Sequence, residues 1–255
     1  MPHRLLRLLA ASLLVAMSAA QAEVTLIHAG ELLAVPGKPP AREMTIIVED
    51  GRITGVQRGF AEVDGAAVID LRDSFVLPGL MDMHVHLQGE LGPRNDSDAL
   101  KMSNQLMQMR SLHFAMKTLT AGFTTVRDVG SSEQEMYAMR DAIERGWVDG
   151  PRINAAGGVG ITGGHADISG VSPELLEHWT SANVSDGPND CRRAARNVIK
   201  YGGDLIKITS TGGVMTQRAT GTGQQMEMDE LQDVVRAAAR LGRPVASHAH
   251  DAEGI

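Results

Sequence analysis

The chain has 255 residues, a formal net charge of −7, a hydrophobic content of 43% and a single cysteine, Cys191. This length suffices for one large domain or two modest ones, and the balance of apolar and charged residues argues against disorder. The acidic charge argues against nucleic acid as a partner, because phosphate binding requires a basic surface. One cysteine excludes an internal disulfide framework.

Residues 1–22 have the pattern of a cleavable signal peptide. Arg4 and Arg7 precede an apolar run from Leu8 to Met17, and Ala20-Gln21-Ala22 is a small-x-small cleavage site. The run is shorter than the roughly 20 residues that a membrane-spanning helix needs, which argues against a stable membrane anchor; an uncleaved anchor is the alternative. We therefore expect an exported protein, periplasmic or secreted, cleaved near Ala22.

Residues 23–77 have the pattern of a small β-sheet unit. Short β-branched segments alternate with turns, and Asp50-Gly51 is a strong hairpin signal between the strand candidates Met44–Glu49 and Arg52–Gln57. No catalytic constellation is visible in this segment.

From residue 78 onward, apolar strands alternate with helical stretches, which is the pattern of a parallel sheet in an α/β fold. The five predicted strands are Leu80–Leu87, Phe123–Val126, Ile153–Ala156, Leu205–Thr209 and Pro244–His248. The segment from Gly157 to Gly164 is interpreted as a glycine-rich loop. Five strands fit either an open sheet or part of an eight-stranded barrel. Because an open barrel exposes two strand edges, we expect the sequence to be incomplete.

Two His-x-His pairs close the first and the last of these strands. His84 and His86 share one face of the first strand because side chains alternate along a strand, and His248 and His250 repeat the pattern. Two imidazoles on one face can share a divalent ion, and barrel enzymes carry their sites at the C-terminal ends of strands. A structural role is the alternative for either pair taken alone.

Lys207 lies in the middle of the apolar segment Leu205–Thr209. Burial of an ammonium lowers its pKa, so that near two cations Lys207 should lose its proton. It can then add carbon dioxide and form a carbamate that bridges two metals. The alternative is a lysine whose ammonium reaches water at the strand end.

These motifs together resemble the amidohydrolase superfamily. Val76–His86 is similar to the opening of its barrel, and Glu49–Ile53 to a hairpin of its small β-sandwich. Three further segments resemble one branch of this superfamily, which contains Xaa-Pro dipeptidase-like, imidazolonepropionase-like and ochratoxin-hydrolysing amidases. The segments are Phe123–Asp128, Gly160–Asp167 and the strand of Lys207. The resemblance implies an α/β fold, with a small N-terminal β-sandwich part in residues 23–77. Residues 78–255 would then hold about five βα units of a (β/α)8 TIM-like barrel.

The resemblance also implies a role for each candidate site residue. His84 and His86 would hold the first metal, Lys207 as a carbamate would bridge both metals, and His248 would bind the second. His250 is expected to polarise the substrate carbonyl or hold substrate. His165 is expected to contact substrate from the loop after the third strand, a backbone-bonded histidine being the alternative. The family barrel also uses a histidine of strand six and an aspartate of strand eight, so we expect this fragment alone to be catalytically incomplete.

The function implied is a metal-dependent hydrolase that cleaves an amide-type C–N bond with metal-activated water. The partner would be a small-molecule amide, such as a dipeptide or an N-acyl amino acid, and the cofactors two divalent ions, zinc being expected. A cyclic-amide hydrolase similar to imidazolonepropionase and a non-catalytic or truncated family member are the alternatives. A homo-oligomer is left open.

The neighbours Arg127 and Asp128 are expected to form an ion pair that braces the barrel.

Overall fold

The computed structural model describes residues 23–90, 92–93, 97–98, 101–168, 170–176, 178, 183–214 and 221–255. The predicted signal peptide lies outside the described residues. The chain divides into two compact units, one ending at Pro78 and the other beginning at Gly79. Among the helices in the described part, none combines the length and the apolar character needed to cross a membrane.

The first unit contains one mixed sheet of four strands, with the spatial order β3-β2-β1-β4. The strands are β1 (Val24–Leu32), β2 (Ala41–Glu49), β3 (Arg52–Arg58) and β4 (Ala67–Val76). β2 pairs antiparallel with β1 and β3, whereas β4 runs parallel to β1. Asp50 and Gly51 form the predicted hairpin turn and both have positive φ values, 48° and 74°. The described residues of this unit thus form one β-sheet, where a small β-sandwich part was expected.

The second unit contains a parallel half-barrel of five strands with the order β5-β6-β7-β9-β10, and a short sixth strand, β8, that pairs with β7. The strands are β5 (Leu80–Val85), β6 (Phe123–Asp128), β7 (Arg152–Ile161), β8 (Val184–Ser185), β9 (Leu205–Thr209) and β10 (Val245–His248). The prediction of an α/β fold with part of a TIM-like barrel is confirmed.

Helices alternate with the strands of the second unit along the chain. They are α1 (Asn104–Thr120), α2 (Glu133–Glu144), α3 (Pro173–Leu176), α4 (Pro188–Lys200) and α5 (Met228–Arg240). The side chain of Ser103 caps α1 by accepting a hydrogen bond from the Leu106 amide at 3.2 Å. Val198 of α4 and Val234 of α5 pack on Ile206 of β9, and all three are fully buried. This packing fixes β9 as a central strand, and every one of its residues is buried.

The predicted glycine-rich loop is wrong over its first part, because β7 continues as far as Ile161. A Cβ atom on Gly157 would lie 2.4 Å from Val198 and 2.7 Å from the hydroxyl oxygen of Tyr137, so only glycine allows helices α2 and α4 to pack this closely on the strand. Glycine has no side chain to show the two-residue alternation that identifies a strand in a sequence.

Candidate metal centre

His84 and His86 lie at the C-terminal end of β5, His84 within the strand and His86 just after it. Their rings are stacked, with centroids 5.4 Å apart and planes inclined by 14°. Partial burial lowers the pKa of both imidazoles, and the charge of Lys207 adds to the effect. Both rings are therefore held in the neutral form that binds a metal.

The buried carboxylate of Asp128 supports the His86 segment from the end of β6. Asp128 is 1% exposed and accepts hydrogen bonds from the Leu87 amide at 2.6 Å and the Ser131 hydroxyl at 2.7 Å. The amides of Gly130 and Ser131 donate to its other oxygen at 3.2 Å and 3.0 Å. A Cβ atom on Gly130 would lie 2.1 Å from the His86 ring, so this glycine leaves the space in which the ring sits.

The ion pair expected between Arg127 and Asp128 is wrong. Successive side chains of a strand point to opposite faces, which separates the two groups. The Arg127 guanidinium instead donates from Nε to the carbonyl oxygen of Met83 at 2.7 Å. Arg127 therefore ties β6 to β5, while Asp128 ties β6 to the segment after β5.

Lys207 is buried in the middle of β9, with a relative exposure of 9%. Its amine forms no hydrogen bond or ion pair with any described residue. Burial lowers the pKa of Lys207, and the nearby positive charge of Arg127 lowers it further. The amine is thus drawn toward its uncharged, nucleophilic form instead of reaching into water.

His248 ends β10, and its ring lies between two other histidines. The ring centroids are 4.4 Å from His165 and 4.6 Å from His250. Burial, followed by the charges of these two neighbours, lowers the pKa of His248 to about 4. Its Nε2 atom is buried and has no hydrogen-bond partner in the described part of the chain. A buried nitrogen without a partner is costly, and a metal ion would satisfy it.

His165 and His250 flank His248 from two loops. The amide of His165, in the turn after β7, donates to Gln225 Oε1 at 2.8 Å. A Cβ atom on Gly213 would lie 2.3 Å from the His165 ring, so this glycine allows the backbone to approach the ring closely. His250 is exposed, and its amide donates to the Thr211 hydroxyl at 3.0 Å.

All six predicted site residues line one cavity of about 1050 Å³: His84, His86, His165, Lys207, His248 and His250. Burial is the largest cause of the lowered pKa values of four of these histidines, and the charge of Lys207 lowers all four further. The four are His84, His86, His165 and His248. The amine therefore lies within electrostatic reach of each ring. The cavity also contains Glu133, which sequence reasoning did not identify.

The donors present fit part of a metal site. Neutral imidazoles and an uncharged amine that can become an anionic carbamate are suitable ligands for zinc-like ions. In the described part of the chain, no three His, Cys, Asp or Glu side chains are grouped closely enough to hold a metal without other donors. The predicted ligand set, which assigns to each ion at most two histidines together with Lys207, stays a prediction.

Known proteins share sequence and fold with this chain. The family model of the amidohydrolase family matches residues 75–255. Ochratoxinase of Aspergillus niger is 28% identical over 261 residues, which cover 95% of this chain and 53% of ochratoxinase. A crystal structure of a Xaa-Pro dipeptidase with bound methionine is 38% identical, with a TM-score of 0.84 over 91% of this chain and 58% of that chain. The ochratoxinase crystal structure is 27% identical, with a TM-score of 0.76 over 92% of this chain and 57% of that chain. The chain spans about half the length of the curated relatives it matches.

Proposed function

Since the chain belongs to the amidohydrolase family, we propose that the full-length protein is a metal-dependent hydrolase that cleaves an amide-type C–N bond. Two of the similar proteins are named as a Xaa-Pro dipeptidase and as ochratoxinase. These names support a small substrate such as a dipeptide or an N-acyl amino acid. The observation that carries the proposal is the set of four histidines and one lysine that line a single cavity with lowered pKa values.

In this proposal His84 and His86 hold one divalent ion and His248 a second. The unpartnered Nε2 of His248 favours it over the exposed His250 as a ligand. The amine of Lys207 would add carbon dioxide and release a proton, and the carbamate so formed would supply anionic oxygen donors to the metal site. When bound, zinc-like ions supply a Lewis acid that acidifies water and polarises a carbonyl group.

His250 and His165 are proposed to position the substrate. Both line the cavity beside His248, and both can present a ring N–H to the carbonyl oxygen of the scissile amide. A hydrogen bond to that oxygen strengthens as negative charge develops on it, which favours the tetrahedral transition state over the ground state.

The substitutions His84→Ala and Lys207→Ala in the full-length protein test this proposal. Each removes a proposed donor, so we expect each variant to lose bound metal and to hydrolyse amides at least about 100-fold more slowly. Metal content is measured by elemental analysis, and hydrolysis is followed on a panel of dipeptides and N-acyl amino acids.

His113→Ala is the matched control, because His113 is an exposed histidine of α1 outside the cavity. This variant should keep both the metal and the activity of the parent. Full metal content and full hydrolysis in both His84→Ala and Lys207→Ala would overturn the proposal.

We also propose that the protein is exported, which the pattern of residues 1–22 supports. Mass spectrometry of the protein from its native host should then find a mature N-terminus near Glu23. A dominant species that retains residues 1–22 would contradict cleavage.

A further inference from the structure

Glu133 is the first residue of α2 and lines the same cavity as the six predicted site residues. Its Oε1 atom accepts hydrogen bonds from the Gly158 amide and from Asn183 Nδ2, both at 2.9 Å. Asn183 is in turn held by Asn197, whose Nδ2 donates to Asn183 Oδ1 at 2.9 Å. The carboxylate is therefore fixed in orientation by neighbours from β7, from the segment before β8 and from α4.

The second carboxylate oxygen, Oε2, forms no hydrogen bond with a described residue, and no described cation forms an ion pair with Glu133. Burial raises the pKa of this carboxyl group, although its two hydrogen bonds oppose the shift. The carboxylate is thus partly buried, and its second oxygen stays open to the cavity. A positive group that entered the cavity would find an oriented acceptor that lacks a partner.

The position of Gly158 places this carboxylate beside the proposed metal centre. Gly158 is the register partner of Lys207 on the neighbouring strand, and such strands lie about 4.8 Å apart. The amide of Gly158 turns to Glu133 because β6 pairs with β7 only as far as Ala155. A Cβ atom on Gly158 would meet nothing within 4 Å, so the space beside this residue is open.

We infer that Glu133 is a specificity residue that binds a cationic nitrogen of the substrate. The inference rests on the proposed amide hydrolysis and narrows its substrate class. An ammonium or guanidinium group would bind Oε2 while the scissile amide faces the histidines and Lys207. The cation is either the free α-ammonium of a dipeptide or a basic side chain, and N-acyl amino acids without a basic side chain would lack this contact.

The test compares Glu133→Gln with the parent in the full-length, metal-loaded protein. Glutamine keeps an oxygen for Gly158 and Asn183 and replaces only the free oxygen by an amide nitrogen, so the fold is retained. The substrates are Ala-Leu, N-acetyl-Ala-Leu and N-acetyl-Ala-Lys, which differ in the α-ammonium and in the side-chain cation. We expect kcat/KM to fall about 10- to 100-fold, mainly through KM, for the cationic substrate that Glu133 binds. The change for N-acetyl-Ala-Leu should stay within about 2-fold.

Glu135→Gln is the matched control, since it removes the same charge from the same helical turn at a residue outside the cavity. It should leave the substrate preference unchanged. Equal losses in Glu133→Gln for substrates with and without a cationic nitrogen, or no loss for any of them, would overturn the inference. A fall confined to Ala-Leu identifies the α-ammonium, and a fall confined to N-acetyl-Ala-Lys identifies the side chain.

Calorimetric binding of the same three compounds to the chelator-treated protein separates this inference from the proposed function. The parent should bind one cationic compound about 10-fold more tightly than N-acetyl-Ala-Leu, and Glu133→Gln should lose that preference. Selective binding without hydrolysis in the metal-loaded protein would overturn the hydrolase proposal and keep the inference. Hydrolysis without any preference for a cationic substrate would overturn the inference about Glu133 and keep the hydrolase proposal.

Discussion

Asp128 accepts four hydrogen bonds while almost completely buried, and three of them come from backbone amides. In Asp128→Asn the amide NH2 would face N–H donors that require an acceptor. We expect the free energy of unfolding to fall by about 1–3 kcal/mol, with a lower metal content because the segment of His86 loosens. Denaturant unfolding and elemental analysis of the full-length protein measure the two effects.

Asp73→Asn supplies the control for this substitution, because Asp73 is an exposed carboxylate of β4. It should change the unfolding free energy by less than about 0.5 kcal/mol. If Asp128→Asn were as stable and as metal-rich as Asp73→Asn, the supporting role of Asp128 would be refuted.

The two His-x-His pairs and Lys207 stand out in the sequence as candidate site residues because their signals are local, whereas His165 is a candidate only through the family resemblance. Alternation along a strand and a charge within an apolar run are visible within five residues. Asp128 and Glu133 could not be recognised, since their roles depend on contacts with Leu87, 41 positions away, and with Asn183, 50 positions away. The expected Arg127–Asp128 pair was wrong for a different reason: the two residues are neighbours in one strand, so their side chains point to opposite faces of the sheet.

The turn that follows β6 shapes the site through Gly130. A methyl group on this residue would lie 2.1 Å from the His86 ring, so in Gly130→Ala the ring must rotate away from its present position. Because a side chain can move more easily than backbone, we expect a stability loss of about 1–3 kcal/mol but a large loss of bound metal and of amide hydrolysis. Thermal unfolding, elemental analysis and an activity assay test the three parts.

Gly223→Ala is a suitable control, since a Cβ atom there meets nothing within 4 Å and the residue does not line the cavity. It should keep metal and activity. Normal metal binding in Gly130→Ala would show that the His86 ring does not need the space that this glycine leaves.

Among the elements, β9 was predicted with its observed bounds, and β7 was predicted too short. β9 is an uninterrupted apolar run around one lysine, and a buried central strand has this pattern. The second half of β7 is built mainly of glycine, which favours turns in a sequence without context. Only the packing of Val198 and Tyr137 against Gly157 shows why glycine is required in that strand.

At the scale of the molecule, the alternation of strands and helices after residue 78 was sufficient to predict the parallel α/β fold. The small β unit was also visible, because hairpin signals separate its strands. The two-residue strand β8 was not predicted, since two residues carry no periodicity. The order β7-β9-β10 follows from packing between helices and sheet, as in the contact of α4 with α5 over β9, and no local pattern encodes it.

The proposed site connects the first and the last strand of the half-barrel, because His84 belongs to β5 and His248 to β10, with Lys207 on β9 between them. An ion bound only by the folded arrangement stabilises it by about 2.7 kcal/mol at a free concentration 100 times its Kd. We expect chelation to lower the melting midpoint of the full-length protein by about 3–5 °C. The difference in melting midpoint between the metal-loaded and the metal-free protein should be smaller in His248→Ala than in the parent. It should be unchanged in His113→Ala, whose exposed side chain lies outside the cavity. Calorimetric melting curves with and without added zinc measure it, and coincident midpoints in the parent would mean that no ion joins these strands.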